Sequence, residues 1–141
     1  MKHYSMAIII MTFLALISAS GHAADLRVVG SSDDMKILVD VDTYKVVEGS
    51  HHEIVMLTLY RDPQKIQDLP QFGATIAHVY LKCLNVTGSL SKLVFFAGTD
   101  LKGSPVASFD YPVVWIPIDP DTDLGIVWKY VCTRGWERDN Q

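Results

Sequence analysis

The chain is short of cysteine, of positive charge and of long apolar runs, and each shortage narrows what it can be. Lys and Arg number 12 against 16 Asp and Glu, for a net charge of −4. Nucleic-acid binders carry a basic footprint, so no nucleic-acid partner is expected. The one long apolar run, Met6 to Ile17, has 12 residues, short of the roughly 20 that a membrane-spanning helix needs. There is no Cys-x-x-Cys redox pair, no Gly-x-Ser-x-Gly hydrolase elbow and no glycine-rich phosphate loop; Gly103-Ser104-Pro105 reads as an ordinary turn. At 141 residues the chain is one domain, too short for a TIM barrel of about 250 residues. With 49% apolar and 20% charged residues, it has the composition of a globular protein rather than a disordered one.

The N-terminus reads as an export signal. Lys2 supplies a short positive start, the run Met6–Ile17 follows, and small residues lead to Gly21-His22-Ala23, a small-x-small cleavage pattern. This order argues against a buried N-terminal helix. Residues 1–23 are therefore expected to be removed, leaving a single domain over 24–141 with a net charge of −5, since Lys2 is lost with no acid. No cysteine stands near the cut, so a lipoprotein-type anchor is not expected, and no second apolar run in the mature chain is long enough to cross a membrane. The expected location is the periplasm, the cell surface or the medium.

Cys83 and Cys132 are the only thiols. An even count in an exported chain predicts one disulfide, with one possible pairing. Strand signals dominate up to about residue 118. Candidates are Asp25–Gly30, Met35–Val41, Thr43–Val47, Ile54–Tyr60, Thr75–Leu84 and Leu90–Ala97, with turns at Ser31–Asp34 and Glu48–Ser50. Arg61–Phe72 and Gly98–Ser104 read as loops, and Pro112 and Pro117 confine Phe109–Ile118 to an edge or an extended segment. The helix signal is C-terminal: Asp119 as N-cap, Pro120 at the first helical position, and Leu124, Val127, Trp128 and Val131 on one face. The spacing predicts a helix over about 120–132, weakened at Gly125 by about 1 kcal/mol relative to Ala.

A Cys83–Cys132 bond would put Ala77, Val79 and Leu81 under the helix, because strand side chains alternate. His78, Tyr80 and Lys82 would then face the other way. That second face is a candidate binding surface, with a plain solvent face as the blander reading. The remaining motifs are weak. Asp119-x-Asp121-x-Asp123 begins like a calcium loop but has Leu124 at the glycine position and Tyr130 at the glutamate position. His51-His52-Glu53 could offer ligands to a metal, but adjacent strand side chains point to opposite faces, so a solvated turn is the expectation. Asn85-Val86-Thr87 matches a glycosylation acceptor, relevant only in a eukaryotic secretory pathway. The sequence shows no nucleophile, base and orienting group together. No enzyme activity, cofactor or metal site is expected.

In order along the chain stand Asp34-Met35-Lys36-Ile37-Leu38-Val39-Asp40, Thr43-Tyr44-Lys45-Val46-Val47, Gly49, Leu59-Tyr60-Arg61-Asp62-Pro63-Gln64, Leu81-Lys82-Cys83, Trp115-Ile116-Pro117-Ile118-Asp119-Pro120 and Trp128-Lys129-Tyr130-Val131-Cys132. This succession resembles the surface-adhesin protein E family of exported bacterial proteins. The resemblance implies a mainly β, α+β fold: one antiparallel sheet of about six strands, with a C-terminal helix packed on one face and tied by the disulfide. It also implies a non-catalytic interaction module, an adhesin for host or envelope macromolecules, with a homodimer open. The alternative is a periplasmic small-ligand protein taking haem or a metal through His51, His52 or His78.

Overall fold

The computed structural model describes residues 24–139; the expected export signal, residues 1–23, lies outside them. Seven strands follow in chain order: β1 (Leu26–Ser31), β2 (Met35–Val47), β3 (His51–Gln64), β4 (Phe72–Lys82), β5 (Thr87–Phe96), β6 (Pro105–Asp110) and the two-residue β7 (Ile116–Pro117). They form one antiparallel sheet in the order β1-β2-β3-β4-β5-β6, with β7 pairing β5. Among the described residues two helices follow the strands, α1 (Asp123–Cys132) and α2 (Gly135–Asp139). The fold is the mainly β arrangement that the sequence implies.

Alternation along the strands sorts the side chains. In register, Val39 lies opposite Met56, Met56 opposite Ala77, and Ile54 opposite Val79. These positions share one face with Ile37 and Leu81, and α1 covers it with Val127 and Val131. Val39, Val79, Leu81 and Val127 are fully buried. Cys83 and Cys132 are bonded, Cα to Cα 5.6 Å across 49 residues of sequence. The helix therefore lies on the odd face of β4, as the sequence parity requires. Trp128 stands at the flank of the contact rather than its centre: it is half-buried, and its indole Nε1 donates to the Lys82 carbonyl at 3.0 Å.

Four expectations are corrected. The helix starts at Asp123, not Pro120, because Thr122 is the N-cap: its hydroxyl accepts from the Gly125 N–H, while the Asp119 carboxylate is engaged by the Asp121 N–H in the preceding turn. Gly125 is no simple weak point, since a Cβ there would meet the Asp119 carbonyl oxygen at 2.4 Å; the turn can pack on the helix only if that side chain is absent. Met35–Val47 is one strand interrupted between Asp40 and Lys45, where the Thr43 hydroxyl donates to the Asp40 carbonyl and accepts from the Val55 N–H. β3 runs on through Arg61–Gln64 rather than giving way to a loop after Tyr60, the Arg61 N–H donating to the Asp34 carbonyl. Short α2 carried no periodic signal. Its Trp136 packs on Tyr44 at 4.5 Å and on Tyr130 at 6.0 Å between centroids.

Two measurements check the docking. Reducing the disulfide is expected to cost about 4 kcal/mol of stability, the chain-entropy value for a loop of this length; an unchanged denaturation midpoint would contradict it. Leu81→Ala should cost about 2–5 kcal/mol and Lys129→Ala, on the exposed side of α1, under about 0.5 kcal/mol, both read from urea titrations.

Candidate functional site: the open face of the sheet

With α1 on one face, the other is left uncovered by either helix. Its two ends differ. Toward one, Leu38, Leu57 and Ile76 follow one another in register, with Val94 beyond. Toward the other, Glu53 pairs with Tyr80 and Val55 with His78, while Lys45 stands opposite Glu53 and Val47 opposite His51. The polar end is knitted together. Lys45 Nζ lies 2.8 Å from Glu53 Oε2, and His51 Nε2 lies 2.9 Å from Glu53 Oε1. The His51 ring sits 4.9 Å from that of Tyr80 and 5.5 Å from that of Trp115. The Lys82 ammonium stands 4.3 Å from the Trp115 ring centroid, a cation–π contact.

Trp115 reaches this cluster from a segment pinned at both ends. The buried Ser89 hydroxyl accepts from the Val114 N–H at 3.0 Å, and the Ile118 N–H donates to the Val86 carbonyl. Ile118 is buried in the core on the helix side, while Trp115, just before it, meets His51 and Lys82 on the opposite face. A groove of about 240 Å³ runs over Thr43, Lys45, Glu53, Val55, His78 and Tyr80. A second cleft of about 340 Å³ at the strand ends includes His51 and Lys82 in its lining.

The electrostatics of the cluster are set by pairing. Burial pushes the Glu53 carboxyl up, but the hydrogen bonds from Lys45 and His51 outweigh it and hold it below its ordinary value. The Lys45 ammonium is raised chiefly by its bond to Glu53. Ser50 Oγ, His51 and Glu53 form a hydrogen-bonded line, with 2.7 Å from Ser50 Oγ to His51 Nδ1. The order resembles that of a nucleophile, base and orienting acid, but the ring nitrogens are exchanged, the serine sitting on Nδ1 and the carboxylate on Nε2. Adjacency in the chain is enough to bring Ser50 to Nδ1.

Of the three residues singled out in the sequence, Tyr80 and Lys82 join the cluster. His78 shares their face but stands further along the strand, exposed and opposite Val55 and Lys92. His51 and His52 are not in a turn: they open β3, half-buried, because they pair with Val47 and Val46. They point to opposite faces. His52 Nδ1 lies 2.9 Å from the Tyr44 hydroxyl on the helix side, where Tyr44 packs at a tilt against Trp136. Among the described residues no three His, Cys, Asp or Glu side chains converge as a metal site would require, and no helix is long and apolar enough to cross a membrane. The sequence offers Glu53 only as a metal ligand beside His51 and His52; Lys45 was missed although strand alternation marks it, and Trp115 was missed because only the long-range return of residues 111–117 to β5 brings it there.

A family model described as surface-adhesin protein E matches residues 26–133. The chain belongs to the surface-adhesin protein E family. No curated protein and no solved structure matches it. The match runs from β1 through α1 and contains both cysteines and every residue of the open-face cluster. For this surface-adhesin E protein the family supports an adhesin-like, surface-associated role.

The helix side supplies a pH prediction. Burial first, then the nearby positive charge of Arg134 and the neighbouring His51, lowers the His52 pKa. The folded state thus favours the neutral ring, whose stabilisation is complete above the ordinary value of about 6.5 and is lost as pH falls through the lowered folded value. Imidazole NMR titration should place the His52 midpoint below that of a free histidine, and the urea midpoint should drop on acidification less steeply in His52→Asn than in the parent.

Proposed function

We propose that the chain is an exported, non-catalytic surface adhesin that binds a host or envelope macromolecule through the open face of its sheet, with Tyr80 and Lys82 at the centre of the contact and His78 at its margin. The observation that carries this is the uncovered cluster of His51, Tyr80, Trp115 and Lys82, in a family named for surface adhesion. Aromatic side chains with a polar tip, such as Tyr and Trp, are enriched at binding surfaces because they bury large area at small entropic cost and keep a hydrogen-bonding end. Export follows from the N-terminal signal pattern of residues 1–23, and the disulfide suits an oxidising compartment.

The small-ligand alternative draws on one observation: His51 and Glu53, two ligand-type side chains, are hydrogen-bonded to each other on this face. His52 points away from them, and His78 pairs across from Val55.

The Tyr80→Ala, Lys82→Ala double variant should keep the parent circular dichroism and unfolding midpoint. It should lose at least about tenfold in affinity, as expected when anchoring contacts are removed, against a panel of immobilised extracellular-matrix and serum proteins, or lose self-association in sedimentation. If it keeps both, and a His51→Ala, His52→Ala variant instead loses uptake of haem or of zinc, the small-ligand reading replaces this one.

A further inference from the structure

The protein has a net charge of −4, yet the groove on the open face and the cleft beside it at the strand ends break with that balance. Lys45, Lys82, His51 and His78 line them against one carboxylate among the described residues, Glu53. That carboxylate is already held by Lys45 and His51. Lys82 enters no ion pair among the described residues and rests its ammonium over Trp115. The local field therefore favours an anion. The same site is floored by rings, with His51 within 5.5 Å of both Tyr80 and Trp115 between centroids. Around the rings stand the Glu53 carboxylate, which accepts hydrogen bonds, and the Ser50 hydroxyl, which both donates and accepts.

We propose that this face takes an anionic saccharide, a glycan bearing carboxylate or sulfate groups; the proposal rests on the adhesion reading above and names its ligand class. A pyranose ring presents an apolar face of C–H groups and a rim of hydroxyls. The first matches the His51, Tyr80 and Trp115 rings. The second needs acceptors as well as donors, which Glu53 supplies. The acidic substituent is met by Lys82, and by Lys45 through exchange with Glu53, in charge-assisted hydrogen bonds. An acidic peptide would use the two lysines but leave the carboxylate and the rings without a role. A groove lying along the sheet surface also suits a chain of sugars crossing it better than an enclosed small molecule.

The test is calorimetric titration of the exported protein with four probes: a hyaluronan hexasaccharide, carrying carboxylates; a heparin hexasaccharide, carrying sulfates; chitohexaose, which is neutral; and hexaglutamate. One or both acidic sugars should bind, more weakly as salt rises, and which of them does identifies the acidic group. Lys82→Gln and Trp115→Ala should weaken binding about tenfold or more, the scale of one lost hydrogen bond to a charged group. Lys36→Gln, at the far end of β2, should leave it unchanged. If Trp115→Ala does not fold, Lys45→Gln, whose side chain is largely exposed, must show the loss instead. Equal binding of chitohexaose overturns the requirement for an anion, and equal binding of hexaglutamate overturns the saccharide in favour of an acidic protein surface. If no sugar binds while the Tyr80→Ala, Lys82→Ala variant still loses capture of matrix proteins, the saccharide proposal falls and the adhesion reading stands.

Discussion

Joining Cys132 at the end of α1 to Cys83 just past the end of β4 settles the parity of the whole sheet. Side chains alternate across a strand, so once Cys83 is drawn toward the helix, Leu81, Val79 and Ala77 must follow it into the core and Lys82, Tyr80 and His78 must face away. The antiparallel register then carries that choice to neighbouring strands, from Val79 to Ile54 and from Ala77 through Met56 to Val39. A slip of one residue in β4 would expose Ala77, Val79 and Leu81 and turn His78, Tyr80 and Lys82 toward the helix, at a cost no small domain could bear. With a typical total stability of about 5–15 kcal/mol, a cross-link worth about 4 kcal/mol is a large share of what holds this arrangement.

One consequence is that the second layer, α1 and α2, covers only one face of the sheet. The other face has no helix upon it and must reconcile water with half-buried rings. Pairing solves this at the polar end: Glu53 holds both Lys45 and His51, His51 lies against Tyr80 and Trp115, and Lys82 lies on Trp115. Glu53 is held by two partners and Lys82 by a ring, and the rings pack on one another. A surface of this kind is ordered before any partner arrives, so binding would lose little side-chain entropy. The sheet edges are treated differently. β1 carries the Asp25–Arg27 ion pair and an irregular register beside Gly30, features that discourage further strand pairing. Beyond β6, Tyr111, Val113, Val114 and Ile116 stay 45–59% exposed, held against β5 by the Ser89 and Ser91 contacts of the chain.

Much of the fold is legible in the sequence because it follows from local rules. The count of two cysteines fixed the pairing, alternation in Thr75–Leu84 fixed the faces of β4, and the apolar spacing of Leu124, Val127 and Val131 fixed which side of α1 is buried. The misreadings share a cause, namely competition between local signals that only neighbours resolve. Asp119-Pro120 has the chemistry of a helix start, yet Thr122 holds the Gly125 N–H and Asp119 closes the turn before it. Asp62-Pro63 reads as a loop, yet the strand runs through it because the Arg61 N–H finds the Asp34 carbonyl. His51-His52 reads as a turn, yet pairing with β2 draws both into a strand and sends them to opposite faces.

The sequence by itself determined a small, acidic, mainly β chain with an export pattern, a single disulfide and a C-terminal helix, and it placed Tyr80 and Lys82 on the face away from that helix. Composition, parity and spacing are properties of the chain alone. Tertiary structure decided which residues meet on that face. Trp115 lies 33 residues after Lys82 in the chain, and no periodicity connects them; they touch because Ser89 and Val86 anchor the returning segment to β5. Glu53 joins His51 in the sequence only as a weak metal-ligand motif; its ion pair exists because β2 sets Lys45 opposite it. The site is a product of register and of a long-range return, and neither is written in any short stretch of residues.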